Sequence, residues 1–146
     1  MYYSKPIRLD KSNKAKQNNC HGSNVVCDGS NVDGRETVTI WMQSPYTEYD
    51  RQNGIEKAAI ELVGFEKQTI PAGQTVAFTV EVSKTELRTY DANGVGSYIL
   101  DAGDYYFACG NGAHEALNNV LAAKGAAVEG SAALTAKYTV SDKRRP

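Results

Sequence analysis

Glu61-Leu62-Val63-Gly64-Phe65-Glu66-Lys67, then Ile70-Pro71-Ala72-Gly73-Gln74, then Thr75-Val76-Ala77-Phe78-Thr79-Val80-Glu81-Val82 is the stretch whose reading decides the fold. In its last piece Val76, Phe78, Val80 and Val82 alternate with Thr75, Ala77, Thr79 and Glu81. That alternation buries one side of a strand, and no helix can place it on a single face. Ile70 to Gly73 fits a type I turn, with proline in the second position and glycine in the fourth. Lys57 to Phe65 is expected to be the preceding strand, with Ala58, Ile60 and Leu62 on one face. Gly64 interrupts its alternation and reads as a bulge that turns Phe65 inward.

Working outward, Glu36 to Gln43 alternates again, with Val38, Ile40 and Met42 facing one way and Trp41 among those facing the other. Ser44-Pro45 ends that strand, because proline has no N–H to give to a ladder. Further upstream, Asn24 to Cys27 reads as a short strand and Asp28 to Gly34 as a turn. Downstream, Ser83 to Glu86 has capping-box spacing for one helical turn, with Leu87 and Tyr90 expected to pin it to the core. Asn93-Gly94 signals a reverse turn by residues that accept positive φ. Tyr98 to Leu100 leads to a turn at Asp101 to Asp104, after which Tyr105, Phe107 and Cys109 share one face of a strand. Asp101-x-Gly103-x-Tyr105 resembles the tyrosine corner of immunoglobulin-like sandwiches, so the Tyr105 hydroxyl should bond back to the backbone. Ala113 to Lys124 has helical spacing and Gly125 stops it. Leu134 to Val140 reads as one more strand. Short strands at such regular spacing predict an all-β, antiparallel two-sheet sandwich with one appended short helix.

The chain has 146 residues, so a single core is expected. A formal net charge of −1 excludes a partner that must be held by a broad basic face, such as nucleic acid. No apolar run approaches the roughly 20 residues that span a bilayer. The segment Met1 to Asn19 is polar and lysine-rich, without the apolar centre of a secretory signal. With only Cys20, Cys27 and Cys109 there is no disulfide framework, and a cytoplasmic setting is expected.

Few residue patterns carry chemistry. Cys20, His21 and Cys27 lack the spacing and the fourth ligand of a zinc site. Gly110-Asn111-Gly112 precedes a helix, but the position of a third phosphate-binding glycine holds Glu115. Neither a metal nor a cofactor is expected. His114 reads as a solvated residue of the helix, and Cys109 as a packed thiol. Among Glu61, Glu66, Glu81, Glu86, Asp101 and Asp104, no two have a reason in the sequence for separated pKa values, so no catalytic residue is assigned. Trp41, Tyr46 and Tyr49 form an aromatic group that could contact a sugar or a neighbouring domain, although covering a sandwich edge is the simpler explanation of them.

From about Asn24 to Gly125 the chain resembles the fibronectin type III-like domain of family 3 glycoside hydrolases. The resemblance rests on Glu61 to Lys67, on Ile70 to Gln74 with the Val76/Phe78/Val80 strand, and on Leu87-x-x-Tyr90-Asp91. Ala102-Gly103-Asp104-Tyr105 and Val38 to Pro45 stand at the expected places. Asp28-Gly29-Ser30 departs from the Asn-Thr-Gly with which the family's first strand ends. The resemblance implies an immunoglobulin/fibronectin type III-like sandwich over residues 24–125, a polar segment over 1–23 without stable structure of its own, and an extension over 126–146 that includes a strand. It implies a β-glucosidase-type parent in carbohydrate metabolism, whose barrel and α/β domains hold the reacting groups. This sequence contains neither domain, and no catalytic residue carries over onto it. The helix after Ala113 is similar to members that place the sandwich between their two catalytic domains, which implies a detached piece. The expected role is a non-catalytic brace whose partners are those catalytic domains. A stand-alone carbohydrate-binding module and a structural spacer are the alternatives.

Overall fold

The computed structural model describes residues 20–21, 26–28, 34–72, 75–76, 78, 80–126 and 129–141. In chain order its elements are β1 (Cys20–His21), β2 (Val26–Asp28), β3 (Gly34–Gln43), α1 (Glu48–Gln52), β4 (Glu61–Ile70), β5 (Thr75–Val76), β6 (Thr89–Asp91), β7 (Ser97–Ile99), β8 (Gly103–Gly110), α2 (Ala113–Ala123) and β9 (Thr135–Val140). Of the segment expected over residues 1–23 only Cys20–His21 is described; the rest of it, Asn24 and Val25 of the expected first strand, most of the turn after Asp28 and the last turn residue, Gly73, lie outside the described residues.

The main layer is an antiparallel sheet in the order β4-β3-β8-β9. β1, β2 and β5 form a second sheet, and β6 with β7 a hairpin. The core lies on the inner face of the main layer, where Val38, Ile40 and Met42 of β3 meet Tyr105, Phe107 and Cys109 of β8. Phe78 and Leu87 close it from the opposing side, joined by the half-buried Val80 and Val82. Burying each of these large side chains contributes about 1.5–3 kcal/mol. This is the expected all-β sandwich.

The Tyr105 hydroxyl donates to the Asp101 carbonyl at 3.0 Å, both buried, which is the predicted corner. α2 lies on the outer face, where Ala116 and Val120 pack on Ala108 with Trp41, Ile60 and Tyr106 around them. The buried Asn119 ties the helix down. Its amide donates to the Cys109 carbonyl at 2.8 Å, and its oxygen accepts from the Ser131 N–H at 2.7 Å. Gly125 closes the helix at φ +72°.

Several expectations are corrected. The strand expected from Lys57 starts at Glu61 and runs on to Ile70, with Ala58 exposed and Leu62 half exposed. The bulge exists, but it does not bury Phe65. Ile40 pairs with Gly64 and Trp41 with Leu62, so Val63 is the extra residue. Val63 packs against the core and Phe65 stays 66% exposed. Among the described residues of the ladder expected over Thr75 to Val82, Thr75–Val76 are the paired ones, while Phe78, Val80 and Val82 face the core. Alternation reports which side is buried, not whether the backbone is paired.

Lys84 to Leu87 is a 3-10 turn in which Ser83 Oγ accepts from the Thr85 N–H, and Leu87 is buried as expected. Tyr90 is exposed instead, because Asp91 takes the buried position of β6. The β6–β7 hairpin follows the Asn93-Gly94 signal, but its left-handed residue is Gly96, at φ +66°. The loop from Tyr46 to Gly54 contains α1, whose Thr47-x-x-Asp50 capping box is a legible signal that the sequence reading did not use.

Candidate functional site

The most charged buried spot is built from three separate segments. Thr47 starts α1, and the Asp50 carboxylate folds back to accept from the Thr47 N–H at 2.8 Å and its hydroxyl at 2.9 Å. The chain then turns through Ile55, which is buried, and delivers Lys57 to the same carboxylate. Lys57 Nζ lies 3.0 Å from Asp50 Oδ2, 2.7 Å from Asp101 Oδ2 and 2.8 Å from the Pro45 carbonyl. An ammonium has three protons, and these three acceptors use them all. The three charged side chains are 8%, 0% and 2% exposed, for Lys57, Asp50 and Asp101.

Burial raises the pKa of Asp50, but the Thr47 N–H, the Lys57 ammonium and the Thr47 hydroxyl outweigh it and hold the carboxyl below its ordinary value. Burial, then the Asp101 charge, pushes the Tyr105 hydroxyl well above the ordinary phenol range. Chemically the cluster is a clamp. A fully donated ammonium has no lone pair for nucleophilic attack, and a buried carboxylate already receiving hydrogen bonds is a poor general base. Sequence reading gave Asp101 only a turn role and missed Lys57 and Asp50, since no periodicity marks an ion pair between distant segments.

A cleft of about 540 Å³ opens beside the clamp, lined by Glu56, Lys57, Glu61, Glu86, Arg88 and Tyr98 with smaller side chains between them. Glu61 opens β4, and Glu86 comes from the 3-10 turn. Burial pushes the Glu61 carboxyl up, the charge of Glu86 adds to this, and Lys57 opposes it. The 3-10 turn thus brings Glu86 to the same cleft as the start of β4, a proximity of two carboxylates that their sequence positions do not announce. Both side chains are nevertheless exposed, so water screens them. A glycosidase pair faces across a sugar held away from bulk water; these two stand on an open rim.

The aromatic trio takes three different positions. Trp41 is half-buried beside α2, and its Nε1 donates to Thr39 Oγ1 at 3.0 Å. Tyr46 is 59% exposed in the segment between β3 and α1. Tyr49 sits on α1 and donates from its hydroxyl to Asp91 Oδ2 at 2.5 Å. A second aromatic pair, which the sequence reading did not single out, sits on the hairpin. Tyr90 and Tyr98 meet edge to face at 5.2 Å, and the Arg88 guanidinium lies 5.4 Å from the Tyr98 ring centre. Cross-strand opposition of Tyr90 and Tyr98 is its cause.

His114 is exposed on α2 and pairs with the Asn118 amide. Cys109 is buried, and burial followed by the Glu115 charge pushes its thiol up to about 12. Among the described residues, no group of three or more His, Cys, Asp or Glu side chains could hold a metal ion.

The model of the fibronectin type III-like domain matches residues 36–113. The chain belongs to that domain family. Fibronectin type III-like folds of the same kind occur in solved β-glucosidases. The β-glucosidase of Kluyveromyces marxianus in complex with glucose matches with a TM-score of 0.58 at 17% identity, over 82% of this chain and 12% of its own. DesR, a β-glucosidase from Streptomyces venezuelae in complex with D-glucose, matches at 0.54 and 21%, over 80% of this chain and 12% of its own. The GH3 β-glucosidase of Bifidobacterium adolescentis matches at 0.54 and 19%, over 83% and 15%. The fibronectin type III-like chain therefore spans only a small part of the length of these proteins. No curated protein matches it by sequence.

Proposed function

We propose that this fibronectin type III-like domain is a non-catalytic accessory module of a family 3 glycoside hydrolase of the β-glucosidase type, bracing the domains that perform the hydrolysis. The observation that carries the reading is that the same fold forms 12–15% of the length of solved β-glucosidase chains. The chemistry of the described residues supports it. Asp50 and Asp101 are committed to Lys57, Cys109 is a packed thiol, and Glu61 and Glu86 stand on an open rim. The exposure of Tyr46 supports it as the member of the aromatic trio that would contact a catalytic neighbour or the edge of its sugar pocket.

Sequencing the genomic DNA on both sides of the coding segment tests the reading. It expects adjoining sequence for a barrel or an α/β domain of that family; unrelated genes on both sides would sink it.

A further inference from the structure

β4 carries a consequence of its bulge that reaches beyond the fold. In a regular strand, residues three apart point to opposite faces. The extra residue at Val63 cancels that offset, so Leu62 lies opposite Trp41 and Phe65 opposite Thr39. Trp41 and Thr39 alternate with the buried Val38, Ile40 and Met42, so they belong to the outer face of the sheet. Leu62 and Phe65 therefore share that outer face, 50% and 66% exposed, while Val63 packs inward. Gly64 also turns inward, where a methyl group would run into Val80. Bulges that re-aim side chains are built features of sheets, and this one places two large apolar groups side by side in water.

The same outer face is half covered already. α2 packs over β8 and β3 through Ala116 and Val120, with Trp41 at the boundary. β4 is the edge strand of the sheet, and its apolar pair continues the layer that the helix begins. Leu62 and Phe65 expose roughly 200 Å² between them, taking 150–250 Å² for a whole large side chain. A free complex or a dimer of this chain needs about 1,200–2,000 Å² in total. So small a patch suits a partner held close by covalent attachment or by a wider interface, where effective concentrations reach the order of millimolar.

We infer that the outer face of β4, centred on Phe65 and Leu62, docks against an apolar surface of the catalytic part of a family 3 glycosidase, completing the layer begun by α2. This inference rests on the accessory-module reading and names the surface that would do the bracing. The small share of the solved β-glucosidase chains occupied by this fold supports an occupant much larger than the domain itself.

The test is site-specific photo-crosslinking in the source cell. Phe65→benzoylphenylalanine is compared with the same replacement at Tyr46, before α1, and at Tyr138, on β9. All three side chains are exposed, so the folded sandwich tolerates the change. Peptides joined after irradiation are identified by mass spectrometry. Crosslinks from position 65 to a barrel or α/β segment of a family 3 glycosidase are expected. Crosslinks to such segments from 46 or 138 but not from 65 would overturn the assigned face and leave the accessory role standing. Crosslinks from 65 to a second copy of this chain would overturn it in favour of a dimer. No glycosidase peptide from any position would overturn both readings.

Discussion

Lys57 Nζ stands 2.7 Å from a carboxylate oxygen of Asp101, a residue 44 positions further along the chain, and both side chains are buried. The bond joins the approach to β4 to the turn before β8. It lies beside the Tyr105 corner, since the Asp101 carbonyl accepts the Tyr105 hydroxyl. Asp50 on α1 is held by the same ammonium. One lysine therefore fastens three segments at one end of the sandwich.

Removing that lysine should be far more damaging than removing an exposed one. Lys57→Met leaves two buried carboxylates facing each other without a counter-charge, at a cost of about 3–5 kcal/mol. Adding Asp101→Asn to Lys57→Met should recover part of the loss, because one uncompensated charge disappears. Urea unfolding of the three proteins checks this. Equal midpoints for the wild type and Lys57→Met would show that the clamp does not stabilise the fold.

The clamp also fixes how stability responds to acid. The folded pKa of Asp50 lies below its unfolded value, so the folded state binds this proton less readily. Its contribution is complete above the unfolded carboxylate range, about pH 4, and fades as pH falls through the depressed folded value. The groups facing Asp50 are Thr47 and Lys57, with Asp101 on the far side of the ammonium. Asp50→Asn should therefore flatten the fall in stability below about pH 4 while lowering stability at pH 7. A melting profile across pH 2–7 with the same acid slope in both proteins would contradict this.

Gly94 is held to glycine by crowding rather than by its φ. A methyl there would run into both the Asp91 carboxylate and the Tyr49 hydroxyl. Asp91 accepts from the Gly94 and Val95 N–H groups at 2.8 and 3.0 Å and from Tyr49 at 2.5 Å, which locks α1 to the hairpin. Gly94→Ala should cost about 1–3 kcal/mol by overpacking. Tyr49→Phe in the same background should restore part of it by removing one of the two clashes. Chemical denaturation together with amide exchange over residues 48–54 and 91–96 measures both effects. An unchanged midpoint and unchanged exchange in Gly94→Ala would refute the lock.

The parts of the fold legible in the sequence are those set by local alternation. Val38, Ile40 and Met42, and Tyr105, Phe107 and Cys109, declare their buried side by period alone. The Tyr105 corner was legible because its spacing from Asp101 is short. Phe65 was not. The position of the bulge depends on the partner strand, and a shift of one residue exchanges the faces. Lys57 was also hidden, because nothing near it announces that two aspartates, 7 and 44 residues away, will meet its ammonium. The Glu61–Glu86 cleft needed the same knowledge of how segments cross. The candidate site was therefore less legible than the core.

The central claim is that this sandwich holds a neighbour in shape and performs no hydrolysis itself. An initial-rate assay of the purified chain on an aryl β-glucoside, run beside Glu61→Gln and Glu86→Gln, tests it most directly. The account predicts no release of the aryl leaving group above the buffer rate in any of the three. Turnover that co-purifies with the chain through successive columns and is lost in either glutamine variant would contradict it.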